Sequence, residues 1–380
     1  MDPRRAGRSR VMSSAVDEPL AFEPDDEGAW QRLALGYRLA GLLLSAHRLG
    51  LLERLQTGQA TLDALADDLH ADPSVVEHMC RGLGAAGLLR AGDMGWRLSE
   101  AGNRLVSDPA AAAELDSLVL DYRRWGALDD RARARAQDEE APGDGPVDNI
   151  EAARRYALRL AARHRGHAVA MLDRVEPTRP LTVMDVGGAD GFLAREVCAR
   201  WPDAQCIVLE QPSMAEVARV SCADDPRITV VEGDFLGEDD RGPSQELPAD
   251  ADVVVLSHVL QGRPEVHQRT LTTRGAGALR PGGCLLSCES VLRSDKRGPL
   301  ETILWAVGQA ALRRAGHMLT TIEQDVLLRA AGLAASAAWW VSHSTRAVLG
   351  VRTEVGVKPA LRMSGEVSGP DATPRAGTSP

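Results

Sequence analysis

The sequence predicts an α/β fold in which a doubly wound, Rossmann-like domain follows a mainly helical domain that contains a winged helix. An apolar run, Leu181 to Val186, ends in the glycine cluster G-G-A-D-G and is followed by a helical pattern from Phe192 to Ala199. Downstream, apolar strand-like runs alternate with helical runs, which predicts a parallel sheet with right-handed crossovers. Upstream, apolar residues recur at three- and four-residue spacing, as in amphipathic helices.

Composition places the chain among globular proteins. Its 380 residues are 44% hydrophobic and 26% charged, which is typical of a chain with two domains and flexible ends. The net charge of −10 argues against a nucleic-acid binder. The six cysteines include no C-x-x-C pair, so we expect reduced thiols, a cytoplasmic location and no metal site. No apolar run reaches the roughly 18 residues of a membrane helix, so no membrane partner is expected.

The N-terminal third has the pattern of a winged helix. A helix is predicted from Trp30 to Leu55, a helix-turn-helix from Thr61 to Leu89, and a two-stranded wing from Gly87 to Leu98. A DNA-recognition helix would present basic and amide side chains. The candidate helix instead offers Glu77, His78 and a single arginine, Arg81, after an acidic segment. We therefore predict that this region serves dimerisation, with DNA binding as the alternative.

The glycine cluster distinguishes between two classes of cofactor. A dinucleotide fingerprint would need glycine at 187, 189 and 192, but the chain carries Gly187, Ala189 and Phe192. The pattern present is acidic-x-G-x-(G/A)-x-G, from Asp185 to Gly191. It resembles the first motif of class I S-adenosylmethionine-dependent methyltransferases, although a glycine turn of another α/β protein remains an alternative.

Two further segments fit the same cofactor. Glu210 ends the second predicted strand, where a carboxylate can accept both ribose hydroxyls. The segment V-V-E-G-D-F follows the third strand. There Asp234 can accept the adenine amino group and Phe235 can stack on the ring. An exposed loop acid and ordinary core packing are the respective alternatives.

Taken together, the motifs resemble the plant-caffeate-type O-methyltransferase family, including the bacterial members that modify antibiotics. The resemblance runs from about residue 30 to residue 349 through A-H-R-L-G-L-L-E-R-L, D-V-G-G-A-D-G, V-L-E-Q-P, E-G-D-F, S-H-V-L and L-R-P-G-G-C-L-L-S-C-E. It implies a homodimer that binds S-adenosylmethionine and a small aromatic or polyketide-like acceptor. The implied cofactor contacts are Gly187, Gly188, Ala189, Gly191, Glu210, Gln211, Asp234, Phe235 and Ser257.

The resemblance also divides the chain. We expect a disordered leader over 1–26, a winged-helix dimerisation domain over 27–108 and a helical connector that lines the acceptor cleft over 109–175. The cofactor-binding methyltransferase domain would span 176–354, and a disordered tail would follow over 355–380.

The sequence departs from the family where the family performs catalysis. The family carries H-D-W after the fourth strand, with the histidine as general base, whereas the aligned residues here are Gln261, Gly262 and Arg263. Glutamine can form hydrogen bonds but cannot take up a proton at neutral pH. The first acid of the family is kept as Glu289, and its second acid aligns with Met318. The predicted catalytic positions are therefore Gln261 and Glu289.

Three other histidines are candidate substitutes for the missing base. His258 lies at a strand end, His267 is expected on a solvated helix face, and His317 aligns near the site. Three interpretations stay open. The first is methyl transfer to an acceptor that is already nucleophilic at O, N or C. The second is a repurposed cofactor-binding enzyme that catalyses hydroxylation, decarboxylation or a pericyclic step, and the third is a winged-helix regulator.

Overall fold

The structure is a computed structural model that describes residues 29–133, 149–233, 247–313 and 316–364. The predicted leader over 1–26, the acidic segment Gln137 to Pro146, and the predicted adenine contacts Asp234 and Phe235 lie outside the described residues.

The N-terminal region folds as the predicted winged helix. Its elements are α1 (Ala29–Leu49), α2 (Leu51–Gln56), α3 (Leu62–Asp68), α4 (Pro73–Ala85), β1 (Leu89–Gly92), β2 (Gly95–Leu98) and α5 (Glu100–Ser107). The single helix predicted from Trp30 to Leu55 is two helices, because Gly50 adopts a φ of 80° and interrupts the first. Thr61 and Asp72 cap α3 and α4 by accepting the backbone N–H groups of Ala64 and Val75.

A helical connector follows. It consists of α6 (Pro109–Gly126), α7 (Leu128–Arg133) and α8 (Ile150–Leu172). Helices α6 and α8 are joined by polar contacts, including an ion pair between Arg163 and Glu114. Asn149 caps α8 by accepting the N–H of Ala152 at 2.8 Å.

The C-terminal region is the predicted doubly wound domain. Its elements are β3 (Val175–Pro177), β4 (Thr182–Val186), α9 (Phe192–Arg200), β5 (Gln205–Glu210), α10 (Pro212–Ser221), β6 (Ile228–Glu232), β7 (Ala251–Ser257), α11 (Glu265–Ala278), β8 (Leu279–Ser290), α12 (Leu300–Arg313), α13 (Thr321–Ala330), β9 (Ala334–Trp340), β10 (Thr345–Val351) and β11 (Leu361–Met363). The seven-stranded sheet has the order β6-β5-β4-β7-β8-β10-β9.

The direction of the strands differs in part from the prediction. Strands β4 to β8 pair in parallel, as expected, but β10 pairs antiparallel with both β8 and β9. The chain order along the sheet reverses between β4 and β7, and ligands of such sheets bind outside the carboxyl ends of the strands at that point.

Apolar layers cover both faces of this sheet. On one face Leu193 and Val197 of α9 and Met171 of α8 belong to a cluster with the strand residues. On the other face Leu271 of α11 and Leu328 of α13 belong to a second buried cluster with residues of the strands. Burial on both faces explains the nearly unbroken apolar sequence of β7. None of the described helices is both long and apolar enough to cross a membrane.

The chain remains ordered beyond the predicted start of the tail at residue 355. Leu361–Met363 form β11, which pairs antiparallel with β3. The Pro/Gly/Ser/Thr-rich composition concealed this short strand, whose stability comes from pairing with a distant segment. Residues 365–380 lie outside the described residues.

Candidate active site

The glycine-rich turn joins β4 to α9 at the switch point of the sheet. Gly187, Ala189 and Gly191 adopt φ values of 71°, 49° and 74°, a region that glycine enters without strain. A side chain at Gly188 would overlap the Asp185 carboxylate, and one at Gly191 would overlap the Cys222 thiol. The turn therefore needs small residues and presents its backbone at the carboxyl end of β4.

Glu210 ties the adjacent strand to this turn. The carboxylate lies at the end of β5 and accepts the N–H of Ala189 at 2.9 Å and that of Gln211 at 2.8 Å. Burial raises the pKa of Glu210, and the two N–H donors oppose that rise. Ser257 ends β7, the neighbour of β4 on the other side. The predicted contacts Gly187, Glu210 and Ser257 thus end three adjacent strands.

Asp185 lies beneath the turn as a buried acid. Its Oδ2 atom has no hydrogen-bond partner among the described residues. Burial, together with the nearby carboxylates of Glu210 and Asp190, raises the pKa of Asp185 to about 7. A buried acid with an unpaired oxygen below an open glycine turn fits a positively charged ligand such as S-adenosylmethionine.

The predicted catalytic acid Glu289 holds the loop that carries Gln261. Its Oε1 accepts the N–H groups of Val259 and Leu260 at 3.2 and 3.0 Å, and its Oε2 accepts the N–H of Gln261 at 3.1 Å. The side chain is fully buried, and this burial raises the pKa of Glu289 to about 8 against the effect of the three N–H donors. Its contacts make Glu289 a positioning residue for the loop.

Gln261 forms a hydrogen bond with a neighbouring histidine, His258. Its Oε1 accepts the backbone N–H of Ser290 at 2.9 Å and lies 3.2 Å from Nδ1 of His258. An amide oxygen cannot donate, so His258 carries its proton on Nδ1 and donates it to Gln261. The lone pair of His258 is then on Nε2. Gln261 consequently fixes both the orientation and the tautomer of His258.

Two histidines of α8 complete a cluster with His258. Nδ1 of His167 lies 3.1 Å from Nε2 of His258, and the ring of His164 stacks on that of His258 with centroids 3.7 Å apart. Burial lowers the pKa of all three imidazoles, that of His258 to about 3. All three are therefore neutral at physiological pH.

His258 is recognisable as a candidate from the sequence, but its two partners on α8 are not. The spacing H-x-x-H in α8 was the available signal, because residues three apart share a helix face. This spacing does not by itself indicate a site, because nothing in the sequence shows that α8 crosses the end of β7.

The other candidate residues have different side-chain partners, although the carbonyl of His317 accepts the backbone N–H of Gly262 at 3.1 Å. His317 lies with Nε2 3.3 Å from Oε2 of Glu323, and Met318 is buried in an apolar position. His267 lies on α11, as expected, but its ring is half-buried and does not lie on a fully solvated face. Trp305 of α12 packs against Gly262, directly after Gln261. An aromatic wall therefore borders the loop that carries Gln261.

Comparisons with known proteins show which sequences and structures the chain resembles. Residues 155–334 match the model of a family described as the O-methyltransferase domain. The chain is 30% identical over 346 residues to acetylserotonin O-methyltransferase of Mus musculus molossinus, covering 82% of this chain and 85% of that protein. It is 28% identical over 269 residues to the N,N-dimethyltransferase OxyT of Streptomyces rimosus, covering 67% of this chain and 76% of that one.

A solved structure shows the same fold. Human N-acetylserotonin methyltransferase in complex with SAM aligns with a TM-score of 0.70 and 23% identity, covering 88% of this chain and all of that one (100%).

Proposed function

Because the chain belongs to the O-methyltransferase family and is an S-adenosylmethionine-dependent methyltransferase, we propose that it methylates a small-molecule acceptor without a general base at position 261. The acceptor would be a secondary metabolite with an O, N or C atom that is already nucleophilic. The observation that carries this proposal is the position of Gln261, whose side-chain oxygen accepts hydrogen bonds from His258 and from the backbone N–H of Ser290 and cannot take up a proton.

The cofactor-binding residues are proposed from the turn and its neighbours. S-adenosylmethionine supplies an electrophilic methyl group on a sulfonium. The backbone of Gly187 to Gly191 would approach the cofactor, and Glu210 would exchange its N–H donors for the ribose hydroxyls, with Gln211 and Ser257 beside it. We place Asp234 and Phe235 at the adenine on the strength of the sequence alone.

The acceptor cleft is proposed between the connector and the C-terminal domain. Trp125 of α6 lies against Gly308 of α12, and Trp305 borders the loop of Gln261. These aromatic side chains fit a planar, apolar acceptor. The names of the relatives include both an O-methyltransferase and an N,N-dimethyltransferase, so both oxygen and nitrogen acceptors are worth testing.

Catalysis would rest on alignment. The buried Glu289 fixes the loop, and the helices α8 and α12 enclose the acceptor and exclude water. Holding two reactants in a productive geometry lowers a barrier by about 7–11 kcal/mol. Such an alignment is sufficient where the acceptor atom already carries an available lone pair.

Methyl-labelled S-adenosylmethionine tests this function. The purified protein is incubated with the labelled cofactor and a series of phenols and arylamines of graded acidity, N-acetylserotonin included. Label in the product, with S-adenosylhomocysteine formed in equal amount, is the expected result. Failure to label any acceptor in the series, while the cofactor binds, would contradict the proposal.

A repurposed enzyme is the second candidate, because Gln261 and Met318 replace two of the family's three catalytic positions. It would catalyse hydroxylation, decarboxylation or a pericyclic step with the cofactor retained. This candidate predicts that an acceptor is converted without gaining label and that S-adenosylhomocysteine supports turnover as well. Transfer of label to product excludes it.

We further propose a homodimer in the cytoplasm, formed by the N-terminal region over 27–108. Leu35, Tyr37 and Leu39 of α1 are 48%, 57% and 66% exposed in the single chain, which fits an interface. The candidate recognition helix α4 carries a single arginine and follows an acidic segment, which argues against a nucleic-acid partner. A winged-helix regulator would require binding to duplex DNA, which a gel-shift assay at low salt would detect.

A further inference from the structure

The three histidines beside Gln261 have no role in the methyl transfer proposed above. We propose that His164, His167 and His258 form a binding site for one divalent transition-metal ion, with Zn²⁺ as the best match, and that an oxygen of the acceptor takes the open coordination position. The metal site stands on the geometry of the cluster, and only the role of the acceptor rests on the proposed function.

The spacing of the ring nitrogens suits a metal. One nitrogen from each of the three imidazoles lies within 4.8 Å of the other two. Nδ1 of His167 and Nε2 of His258 are 3.1 Å apart. Two ligands about 2.0–2.1 Å from a tetrahedral zinc lie about 3.3 Å apart. A bound metal would replace the proton of the hydrogen bond between His167 and His258, and the ring of His164, which stacks on that of His258, would turn to bring its nitrogen to the same point.

One ligand atom lacks any other partner. Nδ1 of His164 is buried and has no hydrogen-bond partner among the described residues. A buried polar atom without a partner is costly and calls for an explanation, such as an ion. Coordination of a metal by His164 would supply that partner.

Gln261 prepares His258 as a ligand. By accepting the proton on Nδ1, Gln261 leaves the lone pair on Nε2, the atom that faces His167. Metal-binding histidines commonly donate their other N–H to a fixed oxygen, which sets the tautomer and the ring orientation. The glutamine at this position therefore acts through His258.

The backbone at His258 is also constrained. His258 adopts a φ of 55°, which is uncommon for a residue other than glycine, and its N–H donates to the carbonyl of Cys288 at 2.8 Å. This conformation turns the chain at the end of β7. His164 and His167 come from one face of the rigid helix α8.

The charges around the cluster permit a cation. Arg159 and Arg163 lie near His164, but Arg163 is paired with Glu114. On the other side of the cluster Glu301 lies near His167. Oε2 of Glu301 is 2.9 Å from Nε2 of His343. Three neutral imidazoles without a thiolate favour zinc, copper, nickel or iron over calcium or magnesium. Three histidines with an open position are the ligand set of catalytic zinc.

The site would replace the missing base. Zinc lowers the pKa of a bound water to about 7, and a bound acceptor hydroxyl is acidified in the same way. The hydroxyl proton is released to bulk water as the acceptor oxygen binds the metal, before methyl transfer. The oxygen lone pair then forms the bond to the methyl carbon while the bond from sulfur to that carbon breaks, and its electron pair remains on sulfur as a neutral thioether.

Metal binding is tested on the untagged full chain after removal of metals with a chelator. Titration with Co²⁺ should give the strong visible bands of a tetrahedral nitrogen site at one ion per chain, and Zn²⁺ should displace them. Gln261→Leu removes only a hydrogen-bond partner of a ligand, so it should weaken metal binding by roughly 10–100-fold. His167→Gln and His164→Gln each remove a ligand and should weaken metal binding by more than that.

His78→Gln is the matched control, because His78 is exposed on α4 and its ring nitrogen lies 2.6 Å from the carbonyl oxygen of Ser74 on its own helix. It should bind the metal as the wild type does. Calorimetric binding of S-adenosylmethionine by every variant verifies that each is folded. Octahedral spectra, or equal affinity in the wild type and His167→Gln, would overturn the metal site.

The two proposals fail separately. Label transfer that proceeds equally well in metal-free protein, together with absence of the Co²⁺ bands, would overturn the metal site and leave the methyltransferase function intact. Specific metal binding without label transfer to any acceptor would overturn the proposed function and the role of the acceptor, and leave the site standing.

Discussion

Gln261 and His258 are the residues on which the account of catalysis depends. The side chain of Gln261 bridges the backbone of Ser290 and the ring of His258. A histidine at position 261 would carry its own proton-accepting nitrogen into the cleft, whereas glutamine serves to orient a neighbour. We therefore propose that this position serves positioning in place of proton transfer.

Replacement of Gln261 should reveal a positioning role. We expect Gln261→Ala to lower the rate of methyl transfer about tenfold, equivalent to about 1.4 kcal/mol, without introducing a new ionisation into the pH profile. Gln261→His should extend activity to weakly acidic phenols. Initial rates with labelled cofactor measure both effects, and Gln56→Ala, on an exposed helix end, is the control. Complete loss of activity in Gln261→Ala would indicate a direct chemical role.

Asp185 should couple cofactor binding to pH. Because burial raises the pKa of Asp185 to about 7, the free protein holds this proton below pH 7. A cationic ligand favours the ionised carboxylate, so cofactor binding should release a proton, and affinity should rise as pH increases through about 7. Calorimetry in two buffers of different ionisation enthalpy measures the release. Asp185→Asn should abolish this proton release. Undiminished proton release in that variant would show that another group loses the proton when the cofactor binds.

At the scale of elements, the turn between β4 and α9 shows what the sequence can specify. Its glycines are recognisable because the backbone conformation at Gly187 and Gly191 is accessible to few other residues. The alternation of β4, α9, β5 and α10 was equally recognisable, since local patterns encode it. The antiparallel β10 and the short β11 were not, because both depend on pairing with distant strands.

The turn makes a direct prediction. Gly187→Val should abolish binding of S-adenosylmethionine, because a β-branched residue at a φ of 71° is strained and would block the approach of the backbone to the ligand. Gly277→Ala, in α11 with no atom near its added carbon, should bind normally. Isothermal calorimetry compares the two. Normal binding by Gly187→Val would place the cofactor elsewhere.

The histidine cluster marks the limit of prediction from sequence. His164 and His167 are separated from His258 by more than ninety positions, and only the packing of α8 over the end of β7 brings them together. The sequence predicts that Gln261 is unable to act as a base. Its hydrogen bond to His258 depended on the exact path of the loop that Glu289 holds, which no local pattern specifies.

For the whole molecule, we expect a dimer of twice the 40.7 kDa chain mass by light scattering. Leu39→Glu should shift the protein toward monomer, because Leu39 is 66% exposed on α1 and its burial requires a partner. Val220→Glu, at an equally exposed position (63%) on α10, should remain dimeric. A monomeric wild type at micromolar concentration would contradict the proposed interface.

The central claim is that methyl transfer proceeds without a histidine base at position 261. The most direct test is the pH profile of label transfer from S-adenosylmethionine to a series of phenols of graded pKa. We predict that the midpoint of the profile moves from phenol to phenol in step with the acidity of each acceptor. A single midpoint near pH 6.5 for every acceptor, the ordinary value for histidine, would contradict the claim and identify a protein base.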